Sequence, residues 1–382
     1  MKVAYLSVYR DGTGYANAAI NNILALEAGG FDVVCRPVTL TGVKDKDSPV
    51  AHLEQKDMQN VDVCIQHILP SMFQYRHGVK NIGFFAWETS HFKRSNWAES
   101  CNLMDEIWVP CEHNKRACID SGVTVPIKVF PHSCCLAKFQ QELQPLPIQE
   151  AQDRFVFYTV GEMTKRKNFA SLIRAYYTAF TNRDDVLLLI KTNVPGKGEA
   201  EGASQLKAMC DQIKTELHTY GEKDKYPKIA IVTRRLSEKD LARLHVSCDC
   251  FVLPSRGEAW AIPAHDAMGF GNPVLLSNYG GFIDLVGTSA AKDCLIDGQT
   301  TPCFGMSSGM KEIYTGDEYW FDASIPDLVT KMKRMYDIHT KYDIEVDTIM
   351  GSIKNQAFSF SHEEVGKIAK ELLHGKPVLI NS

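Results

Sequence analysis

"CFVLPSRGEAWAIPAHDAMGFGNPVL", residues 250–275, holds a strand, a turn, a helix and the start of a second strand in one short run. Cys250 to Leu253 are continuously apolar, as in a strand buried on both faces. Pro254 and Gly257 mark the turn. Pro263 suits the first position of a helix, where its missing N–H costs nothing. A unit of this kind produces parallel strands and predicts an α/β fold. The helix start also offers unbonded N–H groups and partial positive charge, which together form an anion site. Glu258 falls in the loop before it and Asp266 about one turn inside. Such a pair can grip hydroxyls at the two ends of one ligand with phosphates in its middle; two solvated acids at a helix entrance are the plain alternative.

The same alternation runs outward in both directions. Upstream are "KVAYLSV", "DVVCRPV", "VDVCIQHI", "NIGFFAW", "EIWVP" and "IKVFP"; nearer by are "RFVFYTVG", "DDVLLLIKT" and "KIAIVTRRL", with "EYWFD" downstream. Between the two series, "AKFQQELQPLPIQEAQ" at 137–152 has two prolines, five glutamines and no strand, which marks a linker. The expected organisation is therefore an N-terminal domain over 1–145 and a C-terminal domain over 153–355, with a final helical segment over 356–382. Within the second domain "NVPGKGEAEGAS" reads as a loop and "QLKAMCDQIKTELHTYG" as the helix beyond it. In "FSFSHEEVGKIAKELLHG", Ser361 is the expected N-cap, Glu364 its capping-box partner and Gly375 the stop.

A chain of 382 residues exceeds what one core usually supports, which agrees with two domains. A hydrophobic share of 45% excludes a disordered chain, and a net charge of −4 gives no signal for nucleic acid. The 12 cysteines show neither CxxC nor paired Cys/His spacing for zinc and read as reduced thiols of a cytoplasmic protein. The first apolar run is too short for a signal peptide, and no stretch approaches the ~20 apolar residues of a membrane span. That leaves room only for peripheral membrane contact.

Several segments at predicted strand ends carry candidate chemistry. In "YRDGTGYANAA", Gly12 and Gly14 let backbone N–H groups approach a phosphate or substrate, or simply make a tight turn. Asn17 stands where a dinucleotide fingerprint has its third glycine, and no acid follows the second strand, so a dehydrogenase is the weakest reading. His67 and His132 end strands and either face a crevice or are satisfied edge histidines. Trp87 beside Glu88 suits a sugar, the ring on its apolar face and the acid on its hydroxyls; a core tryptophan beside a solvated acid is the alternative. Lys165, Arg166 and Lys167 in "GEMTKRKNF" complement an anionic group, or form a solvated basic turn.

At these residues the chain resembles the retaining glycosyltransferases of the GT-B fold, specifically the family-four group with its glycosyl transferases group 1 domain. "PSRGEAWAIPAHDAMGFGNPV" matches without a gap the family frame of Glu, seven residues, then Glu, and "SNYGGFIDLV" matches its "GG-x-x-E-x-V" continuation. The resemblance implies two Rossmann-like domains with mostly parallel sheets facing a cleft, the final helix crossing back to the first. By position, Glu258 resembles the acid on the donor sugar and Asp266 the one on the nucleotide ribose. Lys167 resembles the lysine on the diphosphate with Arg166 its neighbour, Ala261 and Ile262 supply backbone to the phosphates, and His67 resembles the histidine near the transferred sugar. Gly14 joins the donor set, while Tyr15, Trp87 and Glu88 fall to the acceptor. The implied activity is metal-independent transfer of a sugar, with retention, from a nucleotide-diphosphate sugar to a glycan, a lipid-linked sugar or another hydroxyl compound. No cofactor is implied, and UDP-sugar is expected ahead of GDP-sugar. Asp266 in place of the second Glu, Ala259 and Ala261 in place of glycines, and Glu162 in place of an arginine depart from the pattern. They keep open a catalytically silent nucleotide-sugar or glycan binding module, and a nucleotide-sugar epimerase or phosphorylase on the same fold.

Overall fold

The computed structural model describes residues 1–40, 48–288, 291–306, 313–341 and 343–375. The chain divides into two compact units. One gathers Met1–Ala137 with the described parts of Ser308–Glu318 and Phe358–Ser382; the other takes Lys138–Ser307 and Tyr319–Ala357.

The first unit is built on β1 (Lys2–Ser7), β2 (Asp32–Pro37), β3 (Val63–His67), β4 (Lys80–Phe84), β5 (Glu106–Val109) and β6 (Ile127–Val129). They form one sheet in the order β2-β1-β3-β4-β5-β6, with every pair parallel. The order reverses between β1 and β3, and at such a point the connecting chains leave a crevice outside the carboxyl ends of the strands. Ser7 and His67 end these two strands in register. Tyr5, Ile65 and Phe84 of the sheet share a core with Ile23 and Leu26 of the helix Gly14–Ala28 and with Val365, Ala369 and Leu372 of the helix His362–His374. Those two helices meet closely: a Cβ on Gly366 would stand 2.6 Å from the Ala25 carbonyl oxygen and 2.7 Å from the Gly29 nitrogen. Ser361 caps the second of them by accepting from the Glu364 N–H at 3.2 Å, and Gly375 ends it at φ 77°.

The second unit repeats the architecture with β7 (Phe155–Glu162), β8 (Val186–Asn193), β9 (Ile229–Val232), β10 (Cys250–Leu253), β11 (Val274–Ser277) and β12 (Leu295–Ile296). Their order, β12-β11-β10-β7-β8-β9, reverses between β7 and β10. The expected strand at "EYWFD" is displaced in two senses. It is β14 (Tyr319–Ala323), and it pairs antiparallel with β13 (Gly298–Pro302) in a separate two-stranded ribbon. The expected loop over 193–204 is also shorter, because the helix runs Glu199–Leu217; Glu199, Ala200 and Glu201 are good first-turn helix formers that the neighbouring glycines obscured. Part of the proline-rich stretch is tied down, with Arg243 donating to the Gln144 and Pro145 carbonyls and Ser247 Oγ accepting from the Leu146 N–H at 2.6 Å. All 12 cysteines are free thiols. Among the described residues no helix is long and apolar enough to cross a membrane.

Candidate functional site

In the second unit, the turns after β7 and β10 meet at the reversal point of the sheet. Glu258 is 6% exposed, and its Oε1 receives three partners: Arg166 Nη1 at 2.8 Å, Lys167 Nζ at 2.8 Å and Ser255 Oγ at 2.7 Å. Burial alone would push this carboxyl up, but the two cations outweigh it and hold it down to about 2. The two cations and the serine hydroxyl thus converge on one carboxylate oxygen.

Backbone contacts fix this arrangement. The Arg256 N–H donates to the Arg166 carbonyl at 2.7 Å and its guanidinium to the Lys165 carbonyl at 2.6 Å, so the two turns are stitched together. Arg166 Nη1 also donates to the Gly257 carbonyl at 2.6 Å. Arg256 extends the network to the ribbon: it pairs with Asp322, lies 5.1 Å from the Trp320 ring centre, and accepts at its carbonyl from the Phe321 N–H. The stem of Lys167 runs over Gly161, where a Cβ would stand 3.5 Å from its Cε. From the other side, the Gly281 N–H donates to the Glu258 carbonyl at 2.8 Å, and a Cβ on Gly281 would fall 1.9 Å from the Ala259 carbonyl oxygen. The double glycine of "SNYGGF" is thus required by close approach.

The helix that follows runs Ile262–Phe270, so Pro263 stands second in it and not first as expected. Ala261 before it has φ 69° and ψ 79°, a left-handed conformation that favours glycine. Asp266 lies in an ion pair with Lys138 at 2.7 Å. Its neighbour His265 is buried, placed for Nδ1 to accept from Trp260 Nε1 and for Nε2 to donate to the Ala357 carbonyl. Glu162, at the end of β7, accepts from Asn193 Nδ2 at 3.1 Å.

In the first unit, Gly12 takes φ 63° and Thr13 caps the helix Gly14–Ala28 by accepting from the Ala16 N–H. Beside Gly14 a Cβ would meet nothing within 4 Å. His67 is fully buried, its Nδ1 2.8 Å from Tyr5 Oη and its ring centre 4.3 Å from Phe84 and 4.6 Å from Tyr15. Burial, aided by His132, pushes its pKa well down, so the ring is neutral. Its Nε2 and the Tyr15 hydroxyl are buried without hydrogen-bond partners among the described residues. His132 is likewise buried, 3.0 Å from Asn22 Nδ2. Trp87 is a core tryptophan: Phe92 and Trp97 meet it edge-on, and Tyr314 stacks on it at 5.0 Å. The Tyr314 hydroxyl donates to Glu88 Oε2 at 2.8 Å.

Glu258, Arg166 and Lys167 thus come together in the second unit, whereas Asp266 is engaged by Lys138. Tyr15, His67, Trp87 and Glu88 gather at the carboxyl-edge side of the first. Ser255, Arg256, Lys138 and Tyr314 were not singled out in the sequence. Ser255 lies inside the "PSRGE" frame and was within reach; nothing local to Tyr314 announces its partner.

Comparison with known proteins agrees with this reading of the fold. Residues 140–297 match the family model described as glycosyl transferases group 1. No curated protein matches the chain in sequence. Among solved structures, HepE of Anabaena in complex with UDP-glucose aligns over 98% of this chain and 100% of its own, at 12% identity and TM-score 0.61. A trehalose-6-phosphate structure from E. coli bound with UDP-2-fluoro glucose aligns over 99% and 100%, at 12% identity and TM-score 0.66. Sucrose-phosphate synthase from Thermosynechococcus elongatus aligns over 98% of both chains, at 13% identity and TM-score 0.62. At such identities the likeness is one of fold.

Proposed function

On the match of residues 140–297 to the glycosyl transferases group 1 model and the likeness in fold to the solved structures, we propose that the chain is a GT-B glycosyltransferase that moves a sugar from a nucleotide-diphosphate sugar to an acceptor hydroxyl with retention of configuration. The observation that carries this reading is the pairing of Arg166 and Lys167 on one oxygen of Glu258, beside a helix start. A diphosphate is a group that paired cations and helix amides suit. Glu258 then accepts from a donor-sugar hydroxyl, and the backbone at Ala261 and Ile262 meets the phosphates. UDP is the base we favour, since the neighbours HepE and the E. coli structure were solved with UDP-sugars.

In the proposed reaction the bond between the anomeric carbon and the diphosphate oxygen breaks. Lys167 and Arg166 take up the growing charge on the leaving oxygen without a metal ion. The acceptor oxygen bonds to the same face of that carbon and passes its proton to the departing phosphate. Asp266, freed from Lys138 or shared with it, would hold the ribose. In the first unit Tyr15, Trp87 and Glu88 serve the acceptor, and His67, through the Nε2 left without a partner, serves the transferred sugar.

The test is a donor screen with UDP- and GDP-sugars that reads nucleotide release with and without sugar acceptors, beside nucleotide titration of the same protein. Acceptor-dependent release that falls at least about 100-fold in Lys167→Ala and Glu258→Ala is the expected result, the usual loss for one such charge-stabilising group. Binding without release would make the chain a silent module, and release unaltered in both variants would remove the site assignment.

A further inference from the structure

The contact between Tyr314 and the Trp87–Glu88 pair goes beyond any role assigned to the acceptor side. A saccharide on such a pair lays its C–H face on the indole and donates a hydroxyl to the carboxylate. Tyr314 reproduces both interactions at once. Its ring lies 13° from parallel to Trp87 at 5.0 Å, and its hydroxyl donates to Glu88 Oε2 at 2.8 Å. Phe92 and Trp97 take the indole edge-on, so the stacked face is the one that a ligand could share. The site is also incompletely satisfied with tyrosine in it. Trp87 Nε1 and the Tyr15 hydroxyl are buried without hydrogen-bond partners among the described residues, and Tyr15 lies near enough to Glu88 to feel its charge. One phenol cannot meet these groups; the several hydroxyls of a sugar ring can.

Ile313 and Tyr314 pack against the core cluster that contains Trp87. Asp317 pairs with Arg94 at 3.3 Å between exposed side chains, a kind of pair that adds little. Glu318 is buried and folds the segment on itself, accepting from Thr315 N, Thr315 Oγ1 and Gly316 N.

We propose that Tyr314 is a built-in occupant of the acceptor subsite formed by Trp87 and Glu88, and that the acceptor presents a pyranose ring which displaces it. This rests on the reading that the first unit takes the acceptor. Tyr314 is then a specificity-determining residue, admitting only acceptors that stack and donate as well as it does.

The test titrates the full chain with methyl β-D-glucopyranoside, with phenol as a second arm, and reads binding by NMR. Tyr314→Ala is expected to bind the glucoside at least ten-fold more tightly than the wild type, and the milder Tyr314→Phe two- to ten-fold more tightly. Both gains should vanish when Glu88→Gln is added. Unchanged affinity in Tyr314→Phe, a gain that survives Glu88→Gln, or a gain for phenol alone would overturn the proposal. UDP titrated into the same proteins separates the two readings: its affinity should not change with Tyr314, and failure of the wild type to bind it would count against the donor site only.

Discussion

At the scale of the residue, Glu258 is the point on which Arg166, Lys167 and Ser255 converge. Its folded carboxyl sits at about 2 against 4.5 for an ordinary glutamate, so it contributes stability above pH ~4.5 that is lost as the pH falls toward 2. The gap corresponds to about 3 kcal/mol. The difference in unfolding free energy between wild type and Glu258→Gln should accordingly be full at pH 6 and shrink by pH 3; a difference constant across that range would mean that the ion pairs do not stabilise the fold. Ala261 offers a second check. Its φ of 69° is adopted by an L residue only at a cost, and a branched side chain fits worse. Ala261→Val should lower stability by about 2 kcal/mol, while Ala261→Gly should change it by less than about 1 kcal/mol, both read from denaturant midpoints. The sequence singled out Glu258 because it sits in a gapless frame, and Arg166 and Lys167 because they lie in a basic turn between a strand and a helix. It could not show that Lys138 engages Asp266, since a pair separated by 128 positions leaves no local pattern.

At the scale of the element, the buried parallel strands were the most legible feature. "RFVFYTVG" and "CFVL" are runs without polar interruption, and they became β7 and β10. The final helix was equally plain, because Ser361, Glu364 and Gly375 each satisfy a terminal backbone group by a local rule. Where pairing decided the outcome, the reading failed: "EYWFD" has strand chemistry, but its partner is β13 in a ribbon, a choice made by tertiary contacts. Helix packing is likewise set at a distance. Gly366 has no conformational need for glycine; it is required because the Ala25 carbonyl and Gly29 nitrogen approach within 2.6 and 2.7 Å of where its Cβ would be. Gly366→Ala should force the helices Gly14–Ala28 and His362–His374 apart at a cost of about 2 kcal/mol. Hydrogen exchange should quicken in both helices, and exchange unchanged in Gly14–Ala28 would show that the close approach is not needed.

At the scale of the whole molecule, the units are discontinuous in sequence, and this is what a linear reading handles least well. The stretch 137–152 has the composition of a boundary, yet the first unit also takes residues around Tyr314 and the chain from Phe358 onward. Val365, Ala369 and Leu372 stand in the same core as Tyr5 and Phe84, so the first sheet is completed by the last described helix. Burying a valine or leucine side chain is worth about 1.5–3 kcal/mol. Ending the chain after Ala357 should therefore cost the first unit roughly 5 kcal/mol, seen as lost amide protection in β1 and β3. Donor binding should act elsewhere. The groups placed on the diphosphate all belong to the second unit, and a ligand at about 100 times its dissociation constant stabilises what it binds by about 2.7 kcal/mol. UDP-glucose should then slow exchange around 163–168 and 254–262 in the intact chain. Protection concentrated instead at Tyr15, His67 and Trp87 would move the nucleotide to the first unit and reverse the division of labour.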